Sequence, residues 1–154
     1  MRRSCWGFNF FLCIFAPLHL CVKQFLKMKK IIKTTKAPAP IGPYSQAVLI
    51  NGFLYVSGQI SINPATNEIV KGDIKQETKQ VMENLKAILN EAGMGFENVV
   101  KTSIFLISME DFAIVNEVYG SYFSSDFPAR ETVAVAALPK GVNVEISVVA
   151  WLER

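Results

Sequence analysis

The spacing of hydrophobic and polar positions changes several times along the chain, and each change marks an element. Residues 30–35 (Lys-Ile-Ile-Lys-Thr-Thr) predict a short edge strand. The run Ala37-Pro38-Ala39-Pro40-Ile41-Gly42-Pro43 cannot pair as a central strand, because proline donates no ladder hydrogen bond. Two apolar runs, Ala47–Ile50 and Phe53–Val56, flank Asn51-Gly52, the pair preferred in type I′ hairpin turns because both positions need φ > 0. Ser57-Gly58-Gln59 ends the second of these strands, and 63–67 is a polar loop. From Asp73 the period becomes helical: Ile74, Val81, Leu85, Ile88, Leu89 and Ala92 share a face, with Asp73 as N-cap and Gly93 beyond the C-terminus. Val99–Ile107 reads as a strand. Ser108 with Asp111 resembles a capping box opening a second helix, whose apolar side is Phe112, Val115, Val118, Tyr119 and Phe123. Strands over 132–137 and 143–151 follow, separated by the turn Leu138-Pro139-Lys140-Gly141.

These elements make an α+β domain with a mixed sheet and both helices on one sheet face. Ile104, Val133, Val135, Ile146 and Val148 are too apolar to leave much of the other face in water, so oligomerisation is expected. A chain of 154 residues suffices for one such domain and not for two.

Charge and cysteine divide the chain at residue 27. Of the formal net charge of +3, residues 1–27 hold +4 through Arg2, Arg3, Lys23 and Lys27, and residues 28–154 hold −1. Cys5, Cys13, Cys21 and His19, the only cysteines and histidine, all lie in the first 27 residues. Residues 28–154 therefore offer no thiolate or imidazole metal ligand, no cysteine nucleophile and no histidine base. Their near-neutral balance gives no electrostatic case for nucleic acid. Residues 1–27 have a basic start and an apolar run, the layout of a secretory signal, but lack a small-residue cleavage site. Pro17 and His19 interrupt a run slightly short for a membrane span. Met28-Lys29-Lys30-Ile31 looks like an ordinary bacterial start, which would make 1–27 an upstream extension. The expected division is a leader or extension at 1–27, outside the fold, and a domain at 28–154 with no membrane segment. The expected location is cytoplasmic, or exported if 1–27 acts as a signal.

Without His and Cys, chemistry in the domain must come from carboxylates, Arg, Tyr, hydroxyls, backbone and water. Arg130 is one of two arginines there, the other being the C-terminal Arg154. Its planar fork matches a carboxylate through two parallel hydrogen bonds, whereas an ion pair with Glu131 or another acid is the ordinary alternative. Glu145 alternates with apolar residues in the last strand, facing either solvent or a cleft where it could orient water. Tyr44 follows Gly42-Pro43 in a stiff loop, as a pocket wall or as a turn residue packed on the core. Ser57 and Gly58 offer a hydroxyl and close backbone approach, although glycine at strand ends is common. Asn116 sits beside core positions of the second helix, where a cap or inter-helix hydrogen bond is the ordinary role.

Several segments together resemble the RidA/YjgF (reactive intermediate deaminase) family. They are Ala37–Gln46, Val56–Ile60, Asn63-Pro64, Asn84–Leu89, Val100–Thr102, Asp111–Asn116, Pro128–Arg130, Leu138–Lys140 and Val144–Ile146. They occur in order over essentially all of 28–154. The resemblance implies a chorismate-mutase-like homotrimer, with three sheets around a central barrel and ligand clefts between subunits. It implies hydrolysis of 2-imino acids such as 2-iminopropanoate and 2-iminobutanoate to 2-oxo acids and ammonia. That activity protects PLP enzymes from reactive imines and requires no metal or organic cofactor. By position, Arg130 matches the carboxylate-binding arginine, Glu145 the water-handling carboxylate, and Tyr44 the loop tyrosine. Ser57 and Gly58 match the pocket rim, Asn116 a helix asparagine near the cleft, and the backbone near Thr132 a contact to the imine nitrogen. Many active members follow the arginine with a small residue and cysteine; Glu131-Thr132 stands here. Glu131 is expected to point away from Arg130, because neighbouring strand residues face opposite sides. The competing reading is a non-catalytic trimer that binds small ligands or acts as a chaperone-like regulator. Retention of both Arg130 and Glu145 favours the enzyme. A ribonuclease role, also proposed in the family, lacks a basic surface here.

Overall fold

A computed structural model of the chain describes residues 29–70 and 72–153. The leader or extension expected at 1–27 lies outside these residues. Six strands form one sheet in the order β1-β2-β3-β6-β4-β5: β1 (Lys30–Ile32), β2 (Ala47–Ile50), β3 (Phe53–Gln59), β4 (Val99–Leu106), β5 (Ala129–Ala134) and β6 (Val144–Trp151). All pairings are antiparallel except β4–β5. Helices α1 (Ile74–Glu91) and α2 (Phe112–Gly120) complete the fold.

The local signals act as expected at most ends. Asn51 and Gly52 take φ of 50° and 84°, and the hairpin they turn pairs Ile50 with Phe53. The Asp73 carboxylate accepts from the Gln76 N–H at 2.8 Å and caps α1. Gly93, at φ 74°, ends it, with Met94 N–H returning to the Leu89 carbonyl at 3.0 Å. The second helix departs from the capping box. Ser108 accepts from Glu110 N–H and opens a single 3₁₀ turn over Met109–Asp111, and Asp111 makes no side-chain cap to α2. The penultimate strand begins at Ala129, three residues before the expected 132. Pro128 sets its start, and Arg130 pairs in register with Thr102.

Buried and open positions alternate along β3, β4 and β6. The helices cover the face carrying Leu54, Val56, Ile104, Leu106, Val144, Ile146, Val148 and Ala150, all buried against Val81, Leu85, Ile88, Leu89, Val115 and Tyr119. Truncating one such residue, Leu85 for example, costs about 2–5 kcal/mol. This corrects the assignment of the uncovered face. Ile104, Ile146 and Val148 belong beneath the helices, since a strand's faces alternate with period two. The uncovered face exposes Val133, as expected, together with Phe53, Tyr55 and Trp151. It remains apolar, but mostly through other residues.

Two buried polar side chains tie helix to sheet. Asn84 donates to the carbonyls of Ile60 and Ile62 at 3.1 and 2.9 Å. The Glu77 carboxylate accepts from the backbone and side-chain amides of Asn143 at 3.0 and 2.7 Å, fixing the entry to β6. No helix among the described residues is long and apolar enough to cross a membrane.

Candidate functional site

Two groups of candidate residues form on opposite faces of the sheet. Arg130 lies on edge strand β5, on the helix-covered side with its ladder partner Thr102. Its Nη1 donates to Asn116 Oδ1 at 2.7 Å. Its guanidinium carbon lies 5.7 Å from the Phe112 ring centre and 5.1 Å from that of Tyr119. Phe112, Asn116 and Tyr119 stand on one face of α2 through their three- and four-residue spacing. Aromatic faces attract the cation while its remaining N–H donors stay open.

Arg130 makes no ion pair among the described residues. The ordinary alternative, a pair with Glu131, does not form. Glu131 points to the other sheet face, where it accepts from Ser103 Oγ at 2.6 Å and Lys101 Nζ at 3.1 Å. Those two bonds, Ser103 first, hold its carboxyl below the usual carboxylate range. Thr132 lies two residues on, half-buried on the Arg130 side. Its Oγ1 is buried and has no hydrogen-bond partner among the described residues.

The second group surrounds an irregularity between β3 and β6, where the register shifts between Val56 and Gln59. Gly58 sits in this bulge, and the Glu145 side chain lies directly over it. A Cβ at 58 would meet the Glu145 carboxyl carbon at 2.7 Å, so glycine is required for the carboxylate to rest there. Glu145 is half-buried, and burial pushes its carboxyl up from the usual 4.5. Tyr44, Gln46, Gly58 and Gln59 line one cavity of about 30 Å³. Tyr44 is half exposed, and its loop is clamped from behind. Gln46 donates to the carbonyls of Thr34, Ala37 and Pro38, at 3.0, 3.2 and 2.8 Å, and accepts from Thr34 N–H at 2.8 Å. The Ser57 hydroxyl donates to the Ser45 carbonyl at 2.7 Å, so it fastens this loop.

The structure thus brings Arg130, Asn116 and Thr132 together, and Tyr44, Ser57, Gly58 and Glu145 together, and leaves the sheet between the groups. Asn116 contacts the arginine itself. Phe112, Tyr119 and Gln46 join the site although their apolar spacing or turn position marks them only as core or loop. The shared α2 face of Phe112, Asn116 and Tyr119 is the signal that points to them. Among the described residues, no cluster of three or more His, Cys, Asp or Glu side chains is placed to hold a metal ion.

The family model described as Endoribonuclease L-PSP matches residues 34–152. The chain is 50% identical over 123 residues to the Homo sapiens protein named 2-iminobutanoate/2-iminopropanoate deaminase, covering 80% of this chain and 90% of that protein. It is 54% identical over 125 residues to a RutC family protein of Pyrococcus abyssi, covering 81% of this chain and 98% of the relative. Among solved structures, RidA from an Antarctic Psychrobacter superposes with TM-score 0.77 at 45% identity, covering 80% of this chain and 99% of that one. E. coli TdcF with bound serine superposes with TM-score 0.78 at 39% identity and the same coverage. Sequence and fold agree throughout the described domain, and the chain belongs to the endoribonuclease L-PSP family, the RidA/YjgF family.

Proposed function

We propose that this protein hydrolyses small 2-imino acids, such as 2-iminopropanoate and 2-iminobutanoate, to 2-oxo acids and ammonia. It would work in the cytoplasm beside the PLP enzymes that release them. The observation that carries this reading is a guanidinium held by Asn116 and two aromatic rings, with no carboxylate partner among the described residues. Such a group is prepared for an external carboxylate. Mammalian relatives bear the deaminase name, and a solved relative holds serine, which also carries a carboxylate.

In this mechanism the substrate carboxylate docks on Arg130, which fixes the C=N carbon by proximity. Glu145 takes a proton from water as the oxygen attacks that carbon and returns it to the imine nitrogen as the double bond opens. In the resulting carbinolamine Glu145 carries the hydroxyl proton to the amino group, so the C–N bond breaks, ammonia leaves and the C=O bond forms. The raised carboxyl of Glu145 suits a group that accepts a proton and returns it. Tyr44 walls the pocket, and backbone near Thr132 contacts the nitrogen.

Arg130 and Glu145 face opposite sides of one sheet, so the reading requires a cleft built by two copies, as in a homotrimer. The exposed Phe53, Tyr55, Val133 and Trp151 give the uncovered face a reason to assemble. RNA cleavage, which the family's description names, finds little support in a domain of net charge −1 without a basic stripe.

The test couples a threonine dehydratase to this protein in the presence of semicarbazide, which traps free imine. The wild type should suppress semicarbazone formation. Arg130→Ala should lose about 100-fold or more in kcat/KM, since each charge-assisted hydrogen bond contributes ~1.5–3 kcal/mol. Equal protection by the two proteins would overturn the proposal.

A further inference from the structure

The contacts behind Arg130 close into a ring. Arg130 and Thr102 are direct partners in the parallel ladder of β4 and β5. Thr102 is fully buried, and its Oγ1 accepts from the Tyr119 hydroxyl at 3.2 Å. The Tyr119 ring then lies under the guanidinium, 5.1 Å from its central carbon. One helical turn earlier, Asn116 accepts from Nη1. The hydroxyl therefore pins the ring to the same rung that carries the arginine. Phe123 braces the ring from its own side, with centroids 4.8 Å apart.

We propose that Tyr119, pinned by Thr102, is a positioning residue that sets the plane and height of the Arg130 guanidinium and so its affinity for a carboxylate. This rests on the reading of Arg130 as the carboxylate anchor. An arginine on an edge strand otherwise samples many rotamers, and binding must select among them. A ring face held at a fixed height restricts that sampling and attracts the cation. A phenylalanine would satisfy the surrounding core equally well, since Tyr119 is 2% exposed among apolar neighbours. A buried hydroxyl there is favourable only with its hydrogen bond, which gives the ring a direction that packing alone does not supply. Burial raises the Tyr119 hydroxyl above its usual 10.0 despite the opposing hydrogen bond and the nearby Arg130 charge, so it remains a donor at neutral pH.

The probe is 2-oxobutanoate, with affinity measured by calorimetry and turnover by the semicarbazide assay. Tyr119→Phe and Thr102→Val both remove the link, and each should weaken 2-oxobutanoate about threefold to tenfold and raise KM more than it lowers kcat. Thr102→Ser keeps the hydroxyl and should restore wild-type affinity. In an Arg130→Lys background there is no guanidinium plane to set, so Tyr119→Phe should add nothing. Wild-type affinity in Tyr119→Phe and Thr102→Val overturns the inference, as does an equal loss from Tyr119→Phe in the wild-type and Arg130→Lys backgrounds. Failure of Thr102→Ser to rescue also overturns it. Should Arg130→Ala bind 2-oxobutanoate like the wild type, the anchor reading itself falls. Loss in Arg130→Ala with unchanged Tyr119→Phe leaves the anchor standing and removes only the positioning role.

Discussion

Arg130 and Glu145 sit on the same sheet but are prepared by different physics. The arginine projects toward α2 and is held by contacts to its cation: one hydrogen bond and two aromatic faces. The glutamate projects to the uncovered face, makes no compensating ion pair among the described residues, and rests over a glycine bulge where partial burial raises its proton affinity. The first arrangement favours a permanent charge waiting for an anion. The second favours a charge that comes and goes. In the proposed hydrolysis neither half completes the chemistry alone, so their separation by the sheet makes assembly part of that proposal.

Mixing two inactive variants tests that separation most severely. Arg130→Ala and Glu145→Ala subunits, unfolded together in equal amounts and refolded, should regain about one quarter of wild-type activity, because a cleft drawing one residue from each neighbour is intact with that probability. Each variant refolded alone should stay inactive. A mixture no better than its components breaks the comparison.

Glu145→Gln should lower kcat about 100-fold or more, the range for removing a positioned proton acceptor. The wild-type rate should fall as pH drops through the raised carboxyl value, and the substitution should flatten that limb of the profile. Stability moves in the opposite sense. The folded-state pKa lies above the usual 4.5, so the cost of burying the ionised form is absent at low pH and complete once pH exceeds the folded value. At pH 7 Glu145→Gln should therefore raise Tm slightly, by about 1–3 °C. A lower Tm in calorimetry would mean that the carboxylate is held by favourable contacts and not merely desolvated.

Much of this is legible from local pattern. The Asn51-Gly52 hairpin, the Asp73-to-Gly93 helix and the opposite orientation of Glu131 all follow from short-range rules, and the structure has each. What pattern does not give is long-range choice of partners. Alternation with Ser103, Glu145 and Ser147 marks Ile104, Ile146 and Val148 as one buried face, but not whether helices or another copy cover it, so apolar character alone puts them on the wrong side. The resting place of Glu145 over Gly58 depends on a register shift between strands far apart in the chain, a separation at which no periodicity operates. Phe112 and Tyr119 read as core because apolar helical spacing is the same whether a ring packs on valine or under a guanidinium.

Gly58→Ala sharpens the contrast by disturbing one half alone. The added methyl displaces the flexible end of Glu145 and meets no backbone within the first contacts, so the fold should tolerate it. The expected result is a loss of about tenfold in kcat with Tm nearly unchanged, a displacement effect on positioning. Affinity for 2-oxobutanoate at Arg130 should change less. Comparable losses in affinity and turnover would show that the halves are not separable.

The smallest effect is expected at Glu131, the acid beside Arg130 in sequence. Adjacency invites the view that it competes for the guanidinium. Its carboxylate is instead exposed on the far face, engaged with Ser103 and Lys101. Exposed pairs of this kind contribute little, because water and salt screen them. Glu131→Ala should leave KM within about twofold of wild type and lower Tm by no more than about 2–4 °C. Because its carboxyl is held below the usual 4.5, the pair's contribution is present above that value and fades as pH falls through the lowered one. Any Tm difference between Glu131→Ala and wild type should therefore shrink in acid. A KM that drops on removing Glu131 would place its charge within reach of the substrate anion, which the alternation of β5 forbids within one chain and only a neighbouring copy could bring about.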